Sequence, residues 1–226
     1  MIKLENEVLP STEQICSIIR GMRNPMNSWN KSDTYKKTLF ALKIGDNDYD
    51  LMKRLAKAGT DHRKFMRMMN VYVDITAPLY WWKEFDTYKI GTTANSCSTM
   101  HKITAKEFTL NDFSCEHLED FDEPFKKDNN GLTHFTWFKT SLESTIDILN
   151  YARELFLETK DKKYWWQIIQ LLPSSYNQKR TVMLNYEVLS NMYHARKNHK
   201  LDEWRDFCSW IETLPYSDLI TGKEPK

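Results

Sequence analysis

Between residues 69 and 76 the chain alternates in a strict two-residue period. Met69, Val71, Val73 and Ile75 are apolar, while Asn70, Tyr72, Asp74 and Thr76 carry polar groups. Successive side chains of a strand point to opposite faces, so this pattern predicts a strand with one face buried and the other wet. The strand runs directly into Ala77-Pro78 and then Leu79-Tyr80-Trp81-Trp82-Lys83-Glu84-Phe85. Proline lacks an amide hydrogen and has φ fixed near the helical value, which favours it at a helix start. A helix is therefore predicted to about Tyr88, ending at Gly91. With the other periodic segments helical, the pattern predicts a helix-dominated architecture with a small sheet.

The remaining segments fill in that picture. Ser11-Thr12-Glu13-Gln14 has the form of a capping box, and Ile15, Ile18, Ile19 and Met22 follow at helical spacing. A helix is predicted over about Thr12 to Asn24, stopped by Pro25, with 24–34 as loop. Asp46 to Asp50 starts a second helix, Leu51, Met52, Leu55 and Ala56 supply its apolar face, and Gly59 ends it. The polar stretch Thr92 to Thr99 reads as loop. Residues 101–130 read as loop and short helix with an acidic, solvent-facing run from Glu116 to Glu123, and 111–134 as a loop or insertion. Leu142, Ile146, Leu149, Tyr151, Leu155 and Phe156 predict a long amphipathic helix, and Tyr164 to Leu172 a second, ended by Pro173. Two more are predicted over about Tyr176 to Asn198 and Leu201 to Thr213. No internal repeat divides the chain, so one domain is expected over 1–226.

Composition excludes several classes of function. The 226 residues hold 32 Lys+Arg against 31 Asp+Glu, a net charge of +1, which gives no one-sign field for nucleic acid or an anionic membrane. The longest apolar run, near Ile168 to Pro173, falls far short of the roughly 20 residues that cross a bilayer. Met1 to Glu7 carries acids where a secretory signal would be apolar, which points to a cytoplasmic location. Cys16, Cys97, Cys115 and Cys208 form no C-x-x-C pair and read as free thiols, and the six histidines show no metal-ligating spacing, so no metal site is expected.

The segment from Leu55 to Met100 resembles the central part of the flavin-dependent thymidylate synthases. Lys57-Ala58-Gly59, the strand Val71 to Ile75 and Ala77-Pro78-Leu79-Tyr80 stand where that family has a helix end, a strand and an Ala-Pro pair before its signature R-H-R-x-x-S-x-N-E-x-S-x-R-Y. Counting on without a gap places Thr87-Tyr88-Lys89 on R-H-R, Thr92 on the serine and Ala94-Asn95 on Asn-Glu, with Thr99 and Met100 on Arg-Tyr. Lys89 keeps a cation and Thr92 a hydroxyl. From Leu172-Pro173 onward the chain is similar to the family's Leu-Pro-to-Arg segment, with Asn185, Leu189, Asn191 and Arg196 on matching residue types and Glu187 where the family has an arginine.

The resemblance implies an α+β fold, a helix-rich single domain with a small antiparallel sheet, in a protein that binds a pyrimidine deoxynucleotide, has FAD as its candidate cofactor, methylates or otherwise modifies the pyrimidine, and assembles as a homotetramer with sites between subunits. It places Thr92 at the catalytic position. Arg196, Tyr88, Lys89 and Thr92 would meet the substrate, and Asn185, Asn191, Thr87 and Lys89 the flavin. Both halves converge on one spatial expectation, that the segment after Ala77-Pro78 meets the stretch from Asn185 to Arg196, within or across subunits, and encloses a polar hollow with it. On a continuous helix Asn185 and Arg196 share a face, about 16 Å apart, while Asn191 points roughly 120° away.

Each residue also has a plainer reading. Buried amides usually satisfy neighbouring backbone, and an arginine near a helix C-terminus complements the dipole. Trp81-Trp82 and Trp165-Trp166 read as core or interface. Cys97 is a candidate nucleophile without a histidine placed to activate it, and Asp86, Asp61 and His62 form a candidate acid/base set that a solvated face explains equally. With the R-H-R arginines absent, catalysis stays open, and a non-enzymatic oligomeric interaction module on the same scaffold is the alternative.

Overall fold

The computed structural model describes residues 2–38, 41–127 and 133–223. In chain order the elements are β1 (Lys3–Val8), α1 (Thr12–Arg23), the short strands β2 (Tyr35–Lys36) and β3 (Leu42–Lys43), α2 (Asp46–Lys57), β4 (Asn70–Pro78), α3 (Leu79–Phe85) and β5 (Thr92–Ser96). There follow β6 (Asp120–Lys127), β7 (Thr133–Trp137), α4 (Phe138–Thr159), α5 (Lys162–Leu171), β8 (Asn177–Asn185), α6 (Tyr186–Arg196), α7 (Asp202–Thr213) and α8 (Asp218–Thr221). The helix-rich architecture with a small antiparallel sheet is the one expected, and its residues group into two compact units.

The larger unit comprises Ile2–Thr76, Lys83–Ser96 and Lys179–Lys226. Its sheet has the strand order β1-β4-β8-β5. β4 is the strand expected from the alternation, and Val71, Val73 and Ile75 are fully buried while Tyr72 faces outward. β1 pairs antiparallel with β4, and β5 with β8. The capping box on α1 forms as read, with Ser11 accepting from the Gln14 amide and Gln14 returning to the Ser11 amide. Between α1 and α2 the residues 24–34 contain two single 3₁₀ turns, and a buried carboxylate organises them. Asp48 is inaccessible to solvent and accepts from Arg23 Nε at 2.5 Å, Ser32 Oγ at 2.7 Å, Thr34 Oγ1 at 2.6 Å and the amides of Asp33 and Thr34. Burial alone would raise this carboxyl, but the donors, Thr34 first, outweigh it and hold it below its ordinary value.

The smaller unit comprises Ala77–Trp82 and Cys97–Gln178. Its core is Ile103, Phe108, Phe113, Leu142, Ile146, Leu149, Ala152 and Ile168, with Tyr176 packed edge-on against both phenylalanines. Trp81 and Trp82 are buried here, as core tryptophans, whereas Trp166 is exposed.

Three local expectations fail for identifiable reasons. The helix read over Tyr176 to Asn198 is instead β8 followed by α6. Val182 and Leu184 are buried in a period of two, and pairing with β4 on one side and β5 on the other stabilises a strand that local propensity did not announce. The polar stretch after Gly91 is β5, an edge strand whose exposed Thr, Asn and Ser side chains suit a position with one free side. Within 111–134, β6 and β7 pair as a hairpin, and residues 128–132 lie outside the described residues.

Candidate functional site

α3 and the turn behind it carry Glu84, Thr87 and Tyr88, and α6 ends on Arg196. α3 ends at Phe85, and two tight turns, closed by Thr87 N–H to the Glu84 carbonyl at 3.1 Å and Tyr88 N–H to the Phe85 carbonyl at 3.0 Å, carry Tyr88 back beside Glu84. Arg196 reaches this pair across 108 residues of sequence, and its Nε donates to the Tyr88 hydroxyl at 2.9 Å. Its Nη1 donates to Glu84 Oε2 at 2.9 Å. The same carboxylate oxygen accepts the Trp204 indole N–H at 2.8 Å and lies 3.5 Å from His199 Nε2. The guanidinium carbon stands 4.9 Å from the Trp204 ring centroid and 5.7 Å from that of Tyr88, within cation–π range of both. Arg196 Nη2 and Glu84 Oε1 have no partner among the described residues. The pair therefore presents a fixed donor beside an acceptor, between two aromatic rings, on partly exposed side chains.

Asn185 has a different position from the one expected. It is the N-cap of α6, with extended backbone, and its side-chain oxygen accepts from the Val188 amide at 3.0 Å. It therefore shares no helical face with Arg196. Its side-chain nitrogen donates to the Gly91 carbonyl at 3.4 Å, so this buried amide ties the turn before β5 to the start of α6. Gly91 has φ +82°, and a Cβ there would stand 2.4 Å from Asn185 Nδ2. The turn closes because that residue is glycine.

Asn191 lies elsewhere on α6. Its side-chain oxygen accepts from Arg63 Nη2 at 3.1 Å. Glu187, one turn earlier, accepts from Arg63 Nε at 3.3 Å and from Arg67. Burial would raise the Glu187 carboxyl, but Arg67 and then Arg63 reverse the effect and hold it below its ordinary value.

Thr87 Oγ1 donates to the Glu84 carbonyl at 2.7 Å and Thr92 Oγ1 to the Tyr88 carbonyl at 2.6 Å, so both hydroxyls close the turns behind α3. Lys89 is exposed. Of the four residues expected at a flavin, Asn185 is buried and committed to Val188 and Gly91, while Thr87, Lys89 and Asn191 are exposed. Asp86 accepts from Arg180 Nη1 at 2.7 Å, which accounts for it as a surface ion pair. Cys97 is an exposed free thiol.

The segment after Ala77-Pro78 and the stretch from Asn185 to Arg196 thus touch twice, at Glu84/Tyr88 with Arg196 and at Gly91 with Asn185, by direct hydrogen bonds rather than across the expected polar hollow. Sequence reasoning selected Tyr88 and Arg196 but missed Glu84, His199 and Trp204. Nothing local marks Glu84, Trp204 or His199.

No protein-family model matches the sequence, and no curated protein does. Solved structures do match. Thymidylate Synthase X (ThyX) from Helicobacter pylori, with FAD and dUMP, aligns at a TM-score of 0.63 and 16% identity, covering 98% of this chain and 97% of that one. The UMP/dUMP methylase PolB from Streptomyces cacaoi, bound with 5-Br UMP, aligns at 0.60 and 11% identity over 94% of this chain and 88% of that one. The same methylase bound with 5-Br dUMP aligns at 0.56 and 13% identity. Identities this low speak for the path of the backbone, and along nearly its whole length this chain has the fold of the flavin-dependent thymidylate synthases.

Proposed function

We propose that the chain is a diverged thymidylate synthase-like protein that binds a pyrimidine nucleotide at the Glu84, Tyr88 and Arg196 cluster, with methylation or a related modification of the pyrimidine as its reaction. The observation carrying this reading is the 2.9 Å contact between Arg196 and Tyr88, two residues selected independently from opposite ends of the resemblance. Support comes also from the matched structures, whose bound molecules are dUMP, 5-Br UMP and 5-Br dUMP. FAD is part of the proposal because the Helicobacter pylori protein carries it. Asn191 and Lys89 are the residues that would touch it, and when bound it would supply hydride chemistry. What the chain's own side chains do is narrower. Arg196 donates, Glu84 accepts, and Trp204 and Tyr88 hold the guanidinium in place.

A ligand that binds only the native state raises apparent stability by about 2.7 kcal/mol at a hundredfold excess over Kd. For a chain of this size that is roughly 5–11 °C in Tm. Wild-type protein should show this rise with dUMP, and Arg196→Gln should lose it while keeping its far-UV circular dichroism. An undiminished response in Arg196→Gln removes Arg196 from the site.

The second reading, an oligomeric interaction module, is favoured by one observation. In the smaller unit Phe138, Ile148, Tyr151, Trp166 and Leu171 are exposed, Tyr151 at 64%. Exposed apolar groups in such number mark an interaction face, and the proposed homotetramer would bury them. Colourless protein with no dUMP response and a tetrameric mass would support the module.

A further inference from the structure

On α1, Cys16, Ile19, Arg20 and Arg23 follow at helical spacing and share one face. Together with Trp29, Ser32 and Thr34 from the turns behind the helix they line a cavity of about 260 Å³, all of it within the larger unit. None of these residues belongs to the Glu84 and Arg196 cluster. We infer that this cavity is a binding site for a small aromatic carboxylate of one or two rings.

The donor is Arg23. It is 3% exposed, with its Nε committed to Asp48 and its Nη1 to Ser28. Nη2 has no partner among the described residues, although buried N–H groups are ordinarily bonded. A buried guanidinium that borders a cavity with two unused N–H groups calls for an acceptor there. Its charge is already matched by Asp48, so the net positive charge comes from Arg20. Arg20 is exposed, touches only Ser17 Oγ at 3.4 Å and forms no ion pair among the described residues. One such charge selects a monoanion.

The neighbouring acidic and hydroxyl groups are engaged elsewhere. Ser32 and Thr34 donate their hydroxyls to Asp48, Asp33 accepts from the amides of Asn47 and Asp48, and Glu13 pairs with Lys36. What is left of the lining is apolar. Ile19 is buried, and the Trp29 indole N–H donates to Asn24 Oδ1 at 2.9 Å, which fixes its half-exposed ring as a wall for a planar group. The cavity lies near the lower end of small-ligand pockets, roughly 300 Å³, so one or two rings fit. A phosphate dianion would meet one free cation and an apolar wall, a poorer match than a carboxylate carried on a ring.

The probe is 2-naphthoate, and the reporter is Cys16, a partly exposed free thiol in the lining. In the full chain, alkylation of Cys16 by N-ethylmaleimide, followed by peptide mass spectrometry, should slow at least fivefold at saturating 2-naphthoate. The exposed Cys97, in the other unit, should react at an unchanged rate. Arg20→Gln, a surface substitution, should raise the concentration for half protection at least fivefold. 2-Naphthalenemethanol has the rings without the carboxylate and inorganic phosphate the charge without the rings, and both should protect little. Cys16 reacting equally fast with and without 2-naphthoate overturns the proposal. Equal slowing at both thiols, equal protection by the alcohol or by phosphate, or unaltered half protection in Arg20→Gln overturns it as well. The rate at Cys16 is a local reading, separate from the dUMP response at Arg196.

Discussion

Replacing Asp48 by asparagine changes one atom at the most tightly organised polar site in the protein. Asp48 is fully buried and Arg23 nearly so, and their 2.5 Å contact is the only ion pair of the buried guanidinium among the described residues. Arg23 Nη1 otherwise reaches only the Ser28 carbonyl and hydroxyl, both at 3.3 Å. Removing one partner of a buried pair leaves an uncompensated charge and costs about 3–5 kcal/mol. Asparagine keeps one acceptor for the amides of Asp33 and Thr34, which places the expected loss at the lower end, ~3 kcal/mol. For a chain of 150–250 residues that is roughly 6–12 °C in Tm. The assay is thermal and urea unfolding of wild type, Asp48→Asn, Arg23→Met and the double variant. The double variant should be clearly more stable than the sum of the single losses predicts, because removing both charges leaves none stranded. A loss under ~1 kcal/mol for Asp48→Asn, or additive single losses, would refute the claim that this pair holds residues 24–34 against α2.

Gly91→Ala should destabilise by roughly 1–2 kcal/mol from the left-handed backbone alone, with a further loss from the clash with Asn185, and calorimetry showing an unchanged Tm would contradict the tight approach of that turn. Asp74 makes a prediction about acid. The Thr181 hydroxyl first, then Asn6 and Lys179, lower its carboxyl to about 2. Because the folded value lies below the unfolded one, its contribution is full above the ordinary carboxyl pKa and is lost as pH falls from about 4 to 2. Asp74→Asn should flatten stability against pH in that window, and an unaltered acid slope would show that the network is incidental.

Local patterns were legible where burial and propensity agree. The alternation of β4, the capping box of α1 and the apolar stripe of α4 each follow from spacing alone, and each forms. β8 was not legible, because a central strand with Lys179, Arg180 and Thr181 in its middle is held by partners far away in sequence. β5 hid for the same reason: its polar residues are those of a loop until another strand supplies hydrogen bonds. The candidate site divides along the same line. Tyr88 and Arg196 could be chosen from the sequence, and so could the expectation that their segments meet.

What tertiary structure alone decided is which groups remain available. Asn185 and Thr92 carry the residue types of a binding site, yet folding commits their polar atoms to Val188, Gly91 and Tyr88. Glu84, with no distinguishing mark in the sequence, becomes the acceptor around which Arg196 and Trp204 gather. Sequence determines the residue types and the short-range periods. Hydrogen-bond saturation is a property of distance in space, and only the folded chain determines which donors and acceptors it leaves for a ligand.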